Sequence, residues 1–166
     1  MTGSGGSAQT NDREVLIGVI SDTHGYFPLR VSEAFAEVDL IIHAGDFNTP
    51  EVYEAFKEMG PLKAIRGNVD YAPVLQALPE TEVVQVGDVF IYVIHDILDL
   101  QLDPEAAGFH VVIHGHLHIP QIRDRDGTLY LNPGSPTTPR QGSKPGVALL
   151  RIQGDKVEAE LIHFEE

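Results

Sequence analysis

Residues 111–120 read VVIHGHLHIP: three imidazoles within five positions, directly after a β-branched apolar run, in a chain with 8 histidines. The same juxtaposition recurs upstream. VLIGVI (15–20) is followed by Ser21-Asp22-Thr23-His24-Gly25, and DLII (39–42) by His43-Ala44-Gly45-Asp46. LKAI (62–65) is followed by Arg66-Gly67-Asn68, and VFIYVI (89–94) by His95. Neutral imidazole, carboxylate and amide oxygen are all metal donors. A mixed N/O set without sulfur suits Mn²⁺, Fe²⁺, Ni²⁺ or Zn²⁺. Asp22, His24, Asp46, Asn68, His95, His116 and His118 are too many donors for one ion and about right for two ions that share a carboxylate.

Such residues act together only if the chain gathers them. Short β-branched runs at 15–20, 38–42 and 62–65 read as strands. A helical pattern over 29–37 and a second over 51–59, opened by Pro50 at a first-turn position, separate them. That βαβαβ order predicts a parallel sheet with covering helices. The second half reads differently. Runs at 82–86 and 89–94 flank Gly87-Asp88, runs at 121–125 and 128–131 flank Asp126-Gly127, and runs at 147–153 and 156–164 flank Gly154-Asp155, each a hairpin signal. A strand is expected at 110–113 and a short helix after Pro104. The carboxyl ends of parallel strands share one sheet edge, where ligand sites form, and donors far apart in sequence would converge there. Glycines beside several donors let the backbone turn sharply.

The bulk composition narrows the partners. The 166 residues suit one domain, taken as 14–166 after a flexible Gly/Ser-rich tail over 1–13, with 42% apolar residues for a core. A formal net charge of −14, spread along the chain, disfavours phosphate-backbone contact with extended nucleic acid. There is no cysteine, which excludes disulfides and thiolate metal sites and fits a cytoplasmic protein. The N-terminus lacks the basic-then-apolar pattern of a secretory signal, and no apolar run reaches the roughly 18 residues of a membrane span. Hairpin edges leave homo-oligomerisation open.

Asp22-x-His24, Gly45-Asp46, Gly67-Asn68, His95 and Gly115-His116-x-His118, in this order, resemble the calcineurin-like metallophosphoesterase superfamily, and most its small single-domain bacterial and archaeal phosphodiesterases. The turn Asn132-Pro133-Gly134-Ser135 is similar to one these small members carry, and the resemblance runs over about 15–164. It implies an α/β/β/α sandwich of two mixed β-sheets with helices outside. It implies one metal held by Asp22, His24, Asp46 and His118, another held by Asp46, Asn68, His95 and His116, and Asp46 as the bridge. Two divalent ions are expected, Mn²⁺ first, with Fe²⁺, Ni²⁺ or Zn²⁺ as alternatives. The implied activity is hydrolysis of a small phosphodiester by a metal-bridging hydroxide, with Asp46, Asn68 and His95 as catalytic residues. The alternative is a weakly active or inactive protein-interaction scaffold on the same fold.

Two departures from the family pattern stand out. Many members carry His after the Gly-Asn pair to serve the leaving group, and here that position is Val69, followed by Asp70. Relatives commonly carry Gly after the His95 position, and here it is Asp96, expected to rim the pocket and repel dianionic monoesters. Taken singly, each donor also has a structural reading: Asp22 and Asp46 as turn aspartates, Asn68 as a left-handed turn residue, His95 as a core histidine. His114 is expected beside the ligands, orienting one of them or the strand end. Arg140 has two readings, a phosphate contact or a solvated loop residue. His43, His110 and His163 are read as structural.

Overall fold

In the computed structural model, which describes residues 13–165, ten strands form two five-stranded sheets. The expected tail lies, apart from Arg13, outside the described residues. The first sheet has β1 (Glu14–Ile20) at its centre. On one side run β2 (Leu40–His43) and β3 (Leu62–Ala64), parallel to it; on the other run β9 (Gly146–Gln153) and β10 (Lys156–His163), as an antiparallel hairpin. The second sheet has the order β4 (Thr81–Val86), β5 (Val89–Ile94), β6 (Val111–Ile113), β8 (Thr128–Asn132), β7 (Gln121–Arg125).

Strand side chains alternate between faces, and β1 shows what each face meets. Ile17 and Val19 enter the apolar core between the sheets, beside Ile42, Ile65, Ile91 and Ile113. Ile20 faces the other way, into a second core with Val31, Phe35, Phe47, Val52 and Phe56. A strand buried on both faces has no polar positions to alternate with, hence the unbroken run VLIGVI. Gly18 is small for a reason, since a Cβ there would lie 2.8 Å from the Phe35 ring.

The helices over the first sheet are α1 (Leu29–Ala34), α2 (Pro50–Met59) and α3 (Pro73–Gln76), whose buried residues Val31, Val52, Phe56 and Leu75 all belong to that second core. Pro50 does start α2, and Val52 and Phe56 place its apolar stripe at helical spacing. Between β5 and β6 the chain forms only a 3₁₀ turn (Ile97–Asp99) and the single-turn α4 (Pro104–Ala107).

The two-sheet sandwich expected from sequence is present, with corrections in its detail. The first helix ends at Ala34 rather than residue 37, because Phe35 turns into the core and the Val38 N–H returns to the Phe35 carbonyl. The second strand starts at Leu40 rather than 38, because the Asp39 carboxylate accepts from the Leu16 N–H and continues the ladder as a side chain. The helix α3 was not foreseen. All three hairpins exist, each with a two-residue turn, but β5, β6 and β8 are parallel to one another. The second half is therefore a parallel three-strand sheet edged by hairpin partners, and its carboxyl ends join those of β1, β2 and β3. The common edge expected within one sheet is shared by two.

Candidate metal centre

The loops leaving these strands carry every donor singled out above. Asp22 and His24 follow β1, Asp46 follows β2, Asn68 follows β3, His95 follows β5, and His116 and His118 follow β6. Their side chains meet in two groups, Asp22 with His24 and His118, and Asp46 with His95 and His116. Asn68 joins the second group, its Oδ1 lying 3.0 Å from His95 Nε2 and 3.2 Å from His116 Nδ1. Asp46 links the groups, since its Oδ2 lies 3.1 Å from His95 Nε2 and 3.7 Å from His24 Nε2.

Bringing them together strains the backbone. Asp22, His24, Asp46, His116 and His118 all have positive φ, between 48° and 70°, a region costly to residues with a Cβ. The compensation is a dense set of hydrogen bonds between loops. The N–H groups of Asp22 and His24 donate to the carbonyls of Gly45 and Asp46, and the Gly115 N–H donates to the His95 carbonyl. Gly115 is needed at that crossing, where a Cβ would run into Ser21 Oγ and Asp22 Oδ2.

The imidazoles are oriented from behind, and this decides what they present in front. His95 Nδ1 donates to the Ala44 carbonyl at 2.7 Å and His118 Nδ1 to the Thr138 carbonyl at 2.7 Å. His24 Nδ1 faces Asn48 Oδ1 at 3.2 Å. Each neutral ring therefore aims an Nε2 lone pair into the centre. His24 Nε2 and His118 Nε2 face each other at 3.1 Å, and Asp22 Oδ1, fully buried, has no hydrogen bond among the described residues. In the second group His95 Nε2 confronts the oxygens of Asn68 and Asp46. Without a proton or a cation between them, these inward-facing lone pairs and oxygens repel one another. The donor chemistry thus fits divalent cations.

Without a cation, protons take that place. Burial acts to lower the His95 pKa, but the hydrogen bond with Asp46 and the charges of Asp22 and Asp46 outweigh it and raise it to about 9. His118 is raised as well: burial opposes, and the facing Asp22 carboxylate prevails. Burial likewise works to raise Asp46, but His95, the Val69 N–H and His24 hold its carboxyl below the ordinary range.

The remaining candidates are placed as follows. Asp96 accepts from the Leu98 N–H through Oδ1, and its Oδ2 faces His116 Nε2 at 3.6 Å. It lines a cleft of about 570 Å³ that opens beside Asn68, His95 and His116, together with Glu80 and Asp99. Arg66 also lines this cleft, its guanidinium bound to the carbonyls of Gln76 and Leu78 and to Glu80. His114 is not brought into either donor group. It is buried beside the Asn132 amide, and burial lowers its pKa to about 4. Arg140 contributes its backbone N–H to the His118 carbonyl, and its side chain is exposed. His43 lies in the core stacked on Phe47 at 3.6 Å between ring centroids, accepting from the Gly45 N–H and facing Thr23 Oγ1.

Two supports escaped the sequence reading. Ser135 Oγ donates to the Asp22 carbonyl at 2.7 Å and accepts from the N–H groups of Thr137 and Thr138, which ties the Asn132-Pro133-Gly134-Ser135 turn to the first donor loop. Asp70, fully buried, accepts three backbone N–H bonds at the base of the Asp46 and Asn68 loops. The available signal was a lone aspartate two residues beyond a donor, which spacing cannot separate from a turn residue.

Two facing mixed sheets, with imidazoles, carboxylates and an amide converging where their parallel strands end, are the framework of a metal-dependent phosphoesterase. The chain belongs to the calcineurin-like phosphoesterase superfamily, whose domain model matches residues 15–155. It is 42% identical over 165 residues to a probable metallophosphoesterase of Methanocaldococcus jannaschii, covering 92% of this chain and 83% of that protein. Among solved structures it resembles a novel archaeal phosphodiesterase, at a TM-score of 0.73 and 23% identity, covering 89% of this chain and 100% of that one. It equally resembles wild-type Vps29 of Entamoeba histolytica complexed with Zn²⁺, at a TM-score of 0.72 and 21% identity, covering 91% and 100%. The family is metal-dependent. Among the described residues, no helix is long and apolar enough to cross a membrane.

Proposed function

We propose that this protein is a phosphodiesterase dependent on two divalent cations, acting on a small diester. The observation that carries the reading is the convergence of possible ligand atoms in two groups, Asp22, His24 and His118 on one side, Asn68, His95 and His116 on the other, with Asp46 Oδ2 facing both. Cations held by these residues would supply positive charge to the phosphoryl oxygens and lower the pKa of a water.

The chain's own residues do the rest. His95 and His118 keep their lone pairs aimed inward through bonds to backbone carbonyls. The Asn68 amide, exposed at the cleft, lies where substrate would enter. Val69 offers no proton to a leaving group and contributes only its N–H, to Asp46 Oδ1. Esters with good leaving groups are therefore favoured, since a positioned acid typically contributes 10²–10⁴-fold. Glu80, Asp96 and Asp99 make the cleft acidic, and Arg66 is already committed to its own partners. A dianionic monoester meets more repulsion there than a monoanionic diester. The similarity to an archaeal phosphodiesterase supports the same preference.

The test is a Mn²⁺ titration of stripped protein, assayed on bis(p-nitrophenyl) phosphate and p-nitrophenyl phosphate side by side. The expected result is metal-dependent turnover with the diester ahead. A faster monoester would overturn the diester preference. Tight cation binding with neither ester hydrolysed would favour a scaffold role.

A further inference from the structure

The three-way contact of Asp70 has a geometry that goes beyond holding a loop. Its Oδ2 accepts from the Asp46 N–H at 2.8 Å and from the Gly67 N–H at 2.8 Å, and its Oδ1 accepts from the Asn48 N–H at 2.9 Å. One buried carboxylate thereby spans the loop after β2 and the loop after β3. The loop after β2 needs it, because Asp46 (φ 66°) and Asn48 (φ 73°) both sit in the left-handed region. The exchange is reciprocal. Asp70 takes the backbone N–H of Asp46, while the Asp46 side chain takes the N–H of Val69 through Oδ1 at 3.0 Å. With Oδ1 occupied, Oδ2 is the Asp46 oxygen turned toward His95 and His24. Asn68 is fixed by the same bracket, since Gly67 on one side of it and Asp70 on the other are bonded to each other.

We infer that Asp70 is a positioning residue for the bridging ligand: it holds Asp46 and Asn68 at the spacing that lets two cations share Asp46 Oδ2. The inference rests on the two-cation reading above. The Asp70 carboxylate accepts from the backbone N–H groups of Asp46, Asn48 and Gly67 and acts on the donor atoms only through the loops that carry them.

The experiment compares the wild type with Asp70→Asn, a near-isosteric change that replaces one acceptor oxygen by an NH₂ group facing backbone N–H donors. Mn²⁺ is titrated calorimetrically into each stripped protein, and the loaded samples are read by electron paramagnetic resonance. The wild type is expected to take up two ions and give the spectrum of an exchange-coupled pair. Asp70→Asn is expected to bind the second ion roughly 10–100-fold more weakly, the range for residues that orient metal ligands, and to give the spectrum of isolated Mn²⁺ while still melting cooperatively. A coupled spectrum with wild-type affinities in Asp70→Asn would overturn the inference. Should that variant not fold, hydrogen exchange on the stripped wild type decides: the amides of Asp46, Asn48 and Gly67 are expected to be protected, and exchange at open-loop rates would refute the positioning role. A wild type that binds only one ion would sink the two-cation reading instead, and the amide measurement would then judge the Asp70 bracket separately.

Discussion

At the scale of single residues, protons and cations compete for the same lone pairs. His95 carries a proton up to a pH of about 9 when no metal is bound, and an imidazole must lose that proton to ligate a metal. Cation uptake at pH 7–8 is therefore expected to release protons, and affinity to rise with pH until about 9. Calorimetry in buffers of different ionisation enthalpy checks both; uptake without proton release would contradict the orientation of His95. Asp46, the bridge in the proposed two-cation reading, gives a second prediction. Asp46→Asn removes the negative charge that faces both nests. Loss of turnover by about 100-fold or more is expected, with a cooperative thermal transition retained. Activity near that of the wild type would exclude the bridge.

At the scale of elements, the site depends on how closely strands, helices and turns can approach. Gly18 lets Phe35 lie flat on β1, and through Phe35 the end of α1 reaches the sheet. Gly18→Ala is expected to destabilise the fold by about 1–3 kcal/mol, the range for overpacking a filled core, measured by denaturant unfolding. A neutral effect would mean that Phe35 can retreat at no cost. The turn after β8 is the other lever. Ser135→Ala leaves the Asp22 carbonyl and the Thr137 and Thr138 N–H groups without their hydroxyl partner. A loss of about 1–3 kcal/mol is expected, chiefly from the buried Asp22 carbonyl.

At the scale of the whole molecule, four of the histidines form two pairs that oppose each other in pH. His95 and His118 have raised pKa values. Their contribution to stability is complete below the unfolded value near 6.5 and is lost as pH rises, for His95 through about 9. His43 and His114, buried and neutral, have lowered values, His114 to about 4. Their contribution is complete above 6.5 and is lost as pH falls toward those values. The stripped protein is therefore expected to be most stable near pH 6.5, and saturating Mn²⁺ to move that optimum upward by replacing the protons of the first pair. Melting temperatures across pH 4–9, with and without metal, check the sign. An optimum that ignores metal would place the cations away from these imidazoles.

The local chemistry was legible in the linear order. Which residues carry N and O donors, that each follows an apolar β-branched run, and that Gly-Asp or Asp-Gly pairs close three hairpins all follow from side-chain identity and spacing, and the resemblance to the superfamily rested on those same residues. Sequence could not say that β9 and β10 complete the sheet started by β1, because pairing between distant strands leaves no local trace. Nor could it show that β5, β6 and β8 run parallel behind their hairpin partners, so that two sheets rather than one bring their ends together. It also could not show how His114, set apart from the ligands His116 and His118 by the resemblance, is held: it packs against Asn132, while those two rings enter different donor groups. A donor's type is a property of one residue. Whether its lone pair faces a partner, a cation or the core is fixed by backbone that folds back from elsewhere in the chain, and only the tertiary structure decides that.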